Sequence, residues 1–447
     1  MGAFKAYDIR GIYNTDFNKD DVYKIGFFLP GLLNTTKILV GRDVRTSSPE
    51  IFENLSKGIT DAGADVYDLG LATTPYVYWA TAEFKFDASV QITASHNARQ
   101  YNGLKISRTN AFPVGYDSGL KELEEQITTK TPIPKETKGN IISFEHHEKY
   151  FSFLKAYVPD ISNLKISIDC SNGMASLFIK QLLGESPQYL FFDMDGTFPN
   201  HEANPLEPEN VEFLKEHVLE YNSDLGIIFD GDADRVMFVD EKGKFISPDL
   251  IIAVLAHYFN DKEKGVVLQD IRTSKAVGEY IAKLGYSMSM WRVGRAYAAP
   301  KLKEINGLYG GEYAGHYYFR DFNYSDSGML ACLLVLDVVA KMKAKSISFS
   351  KLIKKISPYF STGEMNFKIE HKMEAMDALL AYHTKSEKPS SFYDFDGYRA
   401  DFQHWWFNVR PSNTEPFLRF IAEADSLELL ERIKEETLVV LKPFSNA

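Results

Sequence analysis

Three segments of the chain share one pattern, and this repetition is the strongest constraint on the fold. Each consists of a short apolar run, a polar turn that contains aspartate, and a stretch compatible with a helix. The segments are KILVGRDVRTSSPE from Lys37, LKISIDCSNGMAS from Leu164 and GVVLQDIRTSKAV from Gly265. Their spacing suits one unit per domain, with Asp43, Asp169 and Asp270 in the turns. The pattern therefore predicts three related α/β domains.

The remaining sequence supplies the joints between domains and a last part of different character. Residues 128–140 are polar and contain proline, which is typical of a linker. The last ninety or so residues alternate between apolar and polar types, as antiparallel strands do, and end in a charged helical stretch. We therefore predict α/β domains with mixed sheets at 1–140, 141–243 and 244–357, and a smaller α+β domain at 358–447.

Charge and composition exclude several classes of protein. The 447 residues include 50 Lys and Arg against 61 Asp and Glu, a net charge of −11. This argues against a nucleic-acid partner but allows a local basic pocket for a small anion. The two cysteines cannot form a disulfide framework. Since we find neither an apolar run of about 18 residues nor a signal-peptide pattern, we expect a cytoplasmic protein that does not bind membranes.

A serine and a histidine follow the predicted strand at residues 88–92. The loop reads Thr-Ala-Ser-His-Asn, with Ser95 and His96 at its centre. A serine hydroxyl becomes a nucleophile when a base or a metal activates it. A polar turn with a capping serine is the simpler interpretation of these residues taken alone.

Three carboxylates alternate in a turn between two apolar runs, in DLGIIFDGDADRVMFVD (224–240). Asp230, Asp232 and Asp234 are hard oxygen ligands of the kind that bind Mg²⁺ or Ca²⁺. A solvated acidic turn is the alternative, although carboxylates this close repel one another unless a cation lies between them.

A second acidic pattern offers a rival chemistry. YLFFDMDGTFP (189–199) resembles the strand-Asp-x-Asp-Gly-Thr pattern of haloacid-dehalogenase-type phosphotransferases, in which the first aspartate is the nucleophile. Asp193 and Asp195 would take these positions. The pattern lies mid-chain in a proline-rich stretch typical of a surface loop, but phosphoryl transfer through an aspartyl phosphate stays open as an alternative.

Two further loops contain groups suited to sugar phosphates. In YGGEYAGHYYFRDF (309–322), Glu312 is a hydroxyl acceptor and His316 a proton-transfer group. In VRPSNTEPFLRF (409–420), arginine side chains can form charge-assisted bonds with phosphate. The phosphate-binding candidates in this loop are Arg410, Ser412, Asn413, Thr414 and Arg419. Ordinary capped turns are the alternative for each loop alone.

Six motifs in a fixed order carry a family resemblance. They are YDIRG (7–11), TASHN (93–97), NGLK (102–105), DGDADR (230–235), GEYAGH (311–316) and RPSNTEP (410–416). Together they resemble the α-D-phosphohexomutase superfamily, which interconverts hexose 1- and 6-phosphates, over essentially the whole chain. Residues 316–329 are most similar to the bacterial phosphomannomutase branch. The family also has a DGTFPN-type loop, which residues 195–200 match, and this weakens the aspartyl-phosphate alternative.

The resemblance implies a mechanism in a central cleft between the domains. Ser95 would be phosphorylated in the resting enzyme and would bind Mg²⁺ together with the three aspartates. Its phosphoryl group would pass to a hexose monophosphate and give a hexose 1,6-bisphosphate. This intermediate would turn round and return its other phosphoryl group to Ser95. By the same resemblance, Arg10 and Lys105 lie beside the phosphoserine and His96 flanks it. The implied substrate-binding residues are Tyr7, Arg235, Arg295, Glu312 and His316.

Two residues depart from the pattern of many relatives. Ala314 replaces a serine, and Arg295 replaces a histidine, so phosphate binding is favoured over proton transfer at that position. We predict an isomerase, a Mg²⁺-dependent phosphomannomutase that also accepts glucose phosphates and is a monomer or homodimer. A phosphoglucomutase or phosphoglucosamine mutase of the same family stays open, as does a non-catalytic sugar-phosphate-binding protein.

Overall fold

Each of the three aspartate turns follows a buried central strand. The computed structural model describes residues 2–412 and 417–445. In it, strand Lys37–Arg42 runs into Asp43, and strands Ile166–Asp169 and Val266–Asp270 end on their turn aspartates. Each of these strands has a parallel neighbour on both sides. The turns therefore lie at the carboxyl ends of parallel strands, where open α/β sheets bind their ligands.

The first domain is built on a mixed six-stranded sheet of order β1-β5-β4-β2-β3-β6. Its strands are β1 Ile9–Ile12, β2 Lys37–Arg42, β3 Asp65–Leu71, β4 Ala88–Ile92, β5 Tyr101–Arg108 and β6 Ile141–Ser143. Its helices are α1 Lys19–Leu33, α2 Ser48–Asp61, α3 Thr74–Glu83 and α4 Leu120–Thr129. Strands β4 and β5 form an antiparallel hairpin, so the loop between them stands beside the turn after β2.

The second domain has a five-stranded sheet of order β11-β10-β9-β7-β8. Its strands are β7 Ile166–Asp169, β8 Gln188–Leu190, β9 Leu225–Phe229, β10 Val236–Asp240 and β11 Phe245–Ile246. Its helices are α5 His147–Lys155, α6 Ile179–Leu183 and α7 Glu212–Glu220. A 3₁₀ turn, Met174–Leu177, stands where we predicted the start of a helix. The reason is close packing, since a Cβ at Gly173 would lie 2.7 Å from the carbonyl oxygen of Gly231.

The third domain has a four-stranded mixed sheet of order β13-β12-β14-β15. Its strands are β12 Val266–Asp270, β13 Ser287–Trp291, β14 Tyr309–Gly311 and β15 Tyr317–Phe319. Its helices are α8 Leu250–Phe259, α9 Lys275–Lys283, α10 Arg295–Glu304, α11 Gly328–Ala344 and α12 Phe349–Ile356. Helices α8 and α11 are buried on nearly all sides, and one apolar core joins them to the second sheet and to α3 of the first domain.

The fourth domain is an antiparallel sheet of order β16-β21-β20-β19-β18, with β17 also paired to β21. Its strands are β16 Phe360–Ser361, β17 Met365–Lys368, β18 Ser391–Tyr393, β19 Tyr398–Asp401, β20 Trp405–Pro411 and β21 Phe417–Ala424. Its helices are α13 Lys372–Ser386 and α14 Leu427–Leu441. The predicted architecture, three α/β domains with mixed sheets and a smaller α+β domain, is confirmed.

Two sheets extend beyond the residues at which we placed domain boundaries. Strand β6 at 141–143 pairs with β3 of the first sheet, and β11 at 245–246 pairs with β10 of the second. The predicted boundaries at 140 and 243 therefore cut short strands off their own sheets. Among residues 2–412 and 417–445, no helix combines the length and apolar character that crossing a membrane requires.

The fourth domain docks on the aspartate turn of the third through buried polar contacts. Arg399 Nη1 donates to the carbonyl oxygens of Ile271 at 2.8 Å and Thr273 at 2.6 Å. Glu423 accepts a bond from Ser274 Oγ at 2.5 Å, and Trp406 Nε1 donates to the same carboxylate. Burial, with a further contribution from the carboxylate of Asp249, raises the pKa of Glu423 to about 7.

The buried carboxyl group of Glu423 predicts a pH-dependent stability. Its folded pKa lies above the value of about 4.3 for an unfolded glutamate, so stability is lost as the pH rises from about 4.3 through about 7. Glu423→Gln should therefore leave Tm unchanged near pH 4 and raise it at pH 8, where the gain in the free energy of unfolding is about 3 to 4 kcal/mol. Thermal unfolding at both pH values measures this. The exposed Glu435→Gln is the control, and equal shifts in both variants would contradict the prediction.

Candidate active site

Loops from the first and second domains meet at one buried point. Ser95 Oγ donates to Asp230 Oδ2 at 2.7 Å, although the two residues are 135 positions apart in the sequence. Lys105 Nζ, on β5, donates to Asp232 Oδ2 at 2.6 Å and also bonds Asp234. The contact therefore joins the predicted nucleophile, the predicted metal ligands and a predicted catalytic lysine.

Ser95 is held in an unusual backbone conformation. Its φ is +52°, in the left-handed region that non-glycine residues rarely adopt, and its N–H donates to Thr93 Oγ1 at 2.9 Å. The neighbouring His96 has Nδ1 3.4 Å from Ser95 Oγ. Burial and the nearby guanidinium of Arg235 hold the pKa of His96 well below its usual value, so its imidazole is neutral.

The three aspartates form a set of oxygen atoms that fits a divalent cation. Their ligand atoms lie within 4.8 Å of one another, and all three side chains are at most 1% exposed. Burial, with repulsion from Asp234 and Asp232, raises the pKa of Asp230 well above its usual value. Oδ1 atoms of Asp232 and Asp234 are buried without a hydrogen-bond partner among the described residues. A hard cation such as Mg²⁺ would satisfy these oxygens and neutralise their repulsion.

Arg10 lies on the other side of the serine loop. Its Nη1 donates to Asn97 Oδ1 at 2.9 Å, and its Nη2 forms an ion pair with Asp8. Lys105 has its pKa raised by the carboxylates of Asp232 and Asp234, which outweigh the opposing effect of burial. Both side chains are therefore permanent positive charges beside Ser95, as a site for a phosphoryl group requires.

A chain of hydrogen bonds between charged and polar side chains links the third domain to this site. His316 Nδ1 lies 2.7 Å from Asp326 Oδ2, and Arg235 Nε donates to His316 Nε2 at 3.0 Å. Arg295 Nε donates to the other oxygen of Asp326 at 3.0 Å. These contacts assign the proton of His316 to Nδ1. Asp326 is fully buried, and sequence reasoning missed it although it lies within the stretch 316–329 that carries part of the resemblance.

Arg295 connects the third domain to the first. Its Nη2 donates to the carbonyl oxygen of Ala111 at 2.5 Å, and its guanidinium lies 3.7 Å from the centre of the Tyr78 ring. With the bond to Asp326, these contacts engage Nε, Nη2 and one face of the guanidinium. Binding of substrate phosphate by Arg295 stays a prediction.

Glu312 and Tyr7 meet around a glycine. Glu312 Oε1 accepts from Tyr318 at 2.6 Å and its Oε2 from the N–H of Gly294 at 3.2 Å. Tyr7 donates to the carbonyl oxygen of Val293 at 3.1 Å, and a Cβ at Gly294 would lie 2.7 Å from the Tyr7 ring. Only glycine fits there, because its φ is also +111°. Burial raises the pKa of Glu312.

A cluster of arginines lies where the third and fourth domains meet. Arg410 is 4% exposed, and its Nε and Nη1 are buried without a hydrogen-bond partner within the described ranges. Burial and the nearby Arg272 lower its pKa. Arg419 donates to Glu364 at 2.8 Å, and Arg272 approaches the same carboxylate at 3.5 Å. Buried guanidinium donors beside like charges are suited to an anion such as phosphate.

The other residues of the predicted phosphate loop fall in two groups. The backbone N–H of Ser412 donates to the carbonyl oxygen of Phe417 at 2.9 Å, while Asn413 and Thr414 lie outside the described residues. Sequence reasoning missed Arg272. The available signal was the repetition of DVRTS (43–47) as DIRTS (270–274), which gives both turns an arginine at the same place.

The rival aspartates are not arranged as a nucleophile site. Asp193 is exposed, and Asp195 Oδ1 accepts bonds from both the N–H and the hydroxyl of Thr197 at 2.8 Å. These bonds lower the pKa of Asp195 and close a tight turn. The arrangement gives no support to an aspartyl phosphate.

Four family models match the chain in order. They describe phosphoglucomutase/phosphomannomutase α/β/α domain I at residues 1–133, domain II at 148–243, domain III at 247–359 and the C-terminal domain at 364–439. The chain therefore belongs to the phosphoglucomutase/phosphomannomutase family, within the α-D-phosphohexomutase superfamily. It is an enzyme, an isomerase of the phosphohexomutase type.

Full-length relatives agree with this placement. The chain is 35% identical over 450 residues to the phosphohexose mutases of Xanthomonas campestris, with 99% of each chain covered. It is 33% identical over 456 residues to a phosphomannomutase of Salmonella montevideo, again over 99% of each. A crystal structure of a phosphoglucomutase/phosphomannomutase family protein from Burkholderia thailandensis superposes with a TM-score of 0.87 at 26% identity, covering 100% of this chain and 98% of that one.

Proposed function

We propose that the protein is a Mg²⁺-dependent phosphomannomutase that also converts glucose phosphates. The observation that carries the proposal is the bond from Ser95 Oγ to Asp230, inside a buried set of three carboxylates. A serine hydroxyl in this position can hold a phosphoryl group beside a divalent cation. Bound there, Mg²⁺ would neutralise charge on the phosphoryl oxygens during transfer.

The proposed transfer uses phosphorylated Ser95 as donor. The free hydroxyl of a hexose monophosphate bonds to phosphorus as the bond from phosphorus to Ser95 Oγ breaks, which gives a hexose 1,6-bisphosphate. The hydroxyl proton ends on Ser95 Oγ, which leaves as the serine hydroxyl, and the neutral imidazole of His96, with Nδ1 3.4 Å from that oxygen, can relay it. Lys105, charged and bonded to two carboxylates, is suited to stabilising phosphoryl charge instead. The reverse step on the turned bisphosphate returns the other phosphoryl group to Ser95.

The distal phosphate has a separate candidate site in the arginine cluster. Arg410 offers buried donors, and Arg272 and Arg419 lie close to it. Since phosphate is the same group on carbon 1 or carbon 6, one cluster can grip the substrate in either orientation. This supports a bisphosphate that turns round while the enzyme keeps one set of reacting groups.

The choice of sugar depends on the third-domain loop. In this proposal the carboxylate of Glu312 accepts bonds from the hydroxyls at carbons 3 and 4, which mannose and glucose present alike. We therefore expect the enzyme to discriminate weakly between the two sugars at carbon 2. Ala314 lacks the hydroxyl that the serine of many relatives has at this position. The names of the full-length relatives favour mannose.

Product formation tests the proposal directly. With Mg²⁺ and a trace of mannose 1,6-bisphosphate, mannose 1-phosphate should be converted to mannose 6-phosphate, followed by ³¹P NMR. Glucose 1-phosphate should react within about tenfold of the same kcat/KM, since one shared hydroxyl pattern is recognised. A clear preference for glucosamine 1-phosphate would move the protein to another branch of the family. Binding of all three sugars without turnover would contradict the mutase assignment.

A further inference from the structure

Arg45 is a fully buried arginine outside the substrate-facing groups described above. Its side chain is 0% exposed and follows the first aspartate turn. An arginine offers five N–H donors, and here all five are bonded within the protein. Nε donates to Asp43 at 3.1 Å, while the two terminal nitrogens donate to four backbone carbonyl oxygens. The guanidinium is therefore committed to the protein and has no donor left for a substrate.

Three of the four carbonyl oxygens belong to the loop that carries the nucleophile, and the fourth belongs to Tyr101, the first residue of β5. Nη2 donates to the oxygens of Ser95 at 2.9 Å and Asn97 at 2.6 Å, and Nη1 to those of Ala98 at 2.9 Å and Tyr101 at 3.0 Å. Buried carbonyl groups need partners, and one side chain here supplies four of them. Because the first of these belongs to Ser95, the guanidinium fixes the peptide plane that follows the left-handed residue.

A buried charge of this kind requires compensation, which comes from two sides. Asp43 is 3% exposed and accepts the Nε bond, while Ser48 Oγ donates to the same carboxylate at 2.6 Å. On the other side, the Phe198 ring of the second domain lies 5.0 Å from the guanidinium carbon. A cation over an aromatic face is attracted to it, more strongly when both are desolvated.

The DGTFPN loop (195–200) of the second domain packs against the turn that contains Arg45. A Cβ at Gly196 would lie 2.2 Å from the carbonyl oxygen of Val44, next to Arg45, so only glycine allows this approach. This close approach places the Phe198 ring, which belongs to the second domain, beside the guanidinium of Arg45. Its aspartate, Asp195, closes the turn of the loop through bonds from Thr197.

We propose that Arg45 is the positioning residue of the phosphoserine loop, held in place by Phe198, and that it acts on the rate of phosphoryl transfer. The inference rests on the proposed role of Ser95. Displacement of reacting groups by about 1 Å can cost a hundredfold in rate, whereas the sugar and distal phosphate are gripped by other domains. Loss of the guanidinium should therefore lower kcat and leave KM nearly unchanged.

Arg45→Lys tests the proposal, because lysine keeps the charge but offers three donors from one atom. We expect kcat to fall about a hundredfold and KM to change by less than about threefold. Hydrogen exchange followed by mass spectrometry should show faster exchange within residues 95–103 and unchanged exchange in the fourth domain. The control is Arg42→Lys at the end of the preceding strand β2, whose guanidinium bonds Asp68 at 2.6 Å and is partly exposed.

A second variant keeps the test decisive if Arg45→Lys does not fold. Phe198→Leu retains an apolar side chain but removes the aromatic face, and we expect kcat to fall about tenfold with KM unchanged. Unchanged kcat in a folded Arg45→Lys, or in Phe198→Leu when the lysine variant is unfolded, overturns the inference.

Phosphorylation of the wild type separates this inference from the proposed function. Treated with mannose 1,6-bisphosphate, the wild type should carry phosphate on Ser95. If it carries none, the proposed function fails. If it carries phosphate and Arg45→Lys transfers it to mannose 6-phosphate at the wild-type rate, only the inference fails.

Discussion

Replacement of Ser95 by alanine should abolish mutase turnover while leaving the protein folded and able to bind hexose phosphates. The expected loss of kcat is at least about ten-thousandfold, the scale on which single nucleophile substitutions act. The reason is that Ser95 Oγ is the only atom on this loop that both bonds the carboxylate set through Asp230 and can form a phosphate ester. Coupled detection of mannose 6-phosphate measures the rate, and calorimetric titration with mannose 1,6-bisphosphate measures the binding.

A serine on the preceding strand provides the matched control. Ser89 on β4 is as buried as Ser95 and accepts a bond from Thr81 Oγ1 at 2.7 Å. Ser89→Ala should lower Tm slightly and leave kcat within about twofold, since a buried hydroxyl contributes about 1 kcal/mol. Asp193→Asn tests the alternative in which Asp193 forms an aspartyl phosphate. Full activity of Ser95→Ala together with loss of activity in Asp193→Asn would establish an aspartyl phosphate in its place.

The fold could be predicted to a large extent because its central strands are apolar and their turns are polar. The strands ending near Asp43, Asp169 and Asp270 are buried on both faces, so apolar residues predominate in their sequences. Short edge strands carry no such signal. Strand β6, with two of three residues exposed, was placed outside its own sheet for this reason.

The reacting groups could also be proposed from the sequence, because their chemistry lies in their side chains. Three aspartates in one turn and a serine in a strand-end loop are visible as residue types before any contact is known. Their contact is not visible, since Ser95 and Asp230 come from different domains. The family resemblance supplied that relation, and the structure brings the two side chains to 2.7 Å.

The contacts of the supporting residues could not be predicted, because most of their partners have no sequence signature. Arg45 bonds carbonyl oxygens 50 to 56 positions away, and every residue type has a carbonyl. Asp326 bonds His316 and Arg295, which come from other elements of the third domain. Arg272 bonds Asp270 of its own turn and was missed although the repeated motif marks it. His316 was predicted from its type alone as a proton-transfer group. Its two ring nitrogens are engaged with Asp326 and Arg235, which limits that role in this conformation.

Removal of Mg²⁺ should lower both the rate of turnover and the stability of the protein. Chelation with EDTA should lower kcat by at least about a thousandfold, because the phosphoryl charge loses its counter-ion in a water-poor site. Added Mg²⁺ should raise Tm of the metal-free protein, since it binds the folded state only. At a hundred times its Kd, the expected gain is about 2.7 kcal/mol. The buried, mutually repelling carboxylates are the physical reason for this gain.

Asp232→Asn should separate metal binding from general damage to the fold. The side chain keeps its shape but loses the charge that a cation needs, so Mg²⁺ should no longer raise Tm and kcat should fall to the level seen with EDTA. Asp240→Asn is the control. Asp240 is also buried, and its Oδ1 accepts bonds from the N–H groups of Lys242 and Lys244 at 2.9 Å, which an amide oxygen can still accept. This variant should respond to Mg²⁺ as the wild type does. A wild-type Tm that is the same with EDTA and with excess Mg²⁺ would show that these carboxylates are compensated by Lys105 and Arg235 and hold no metal.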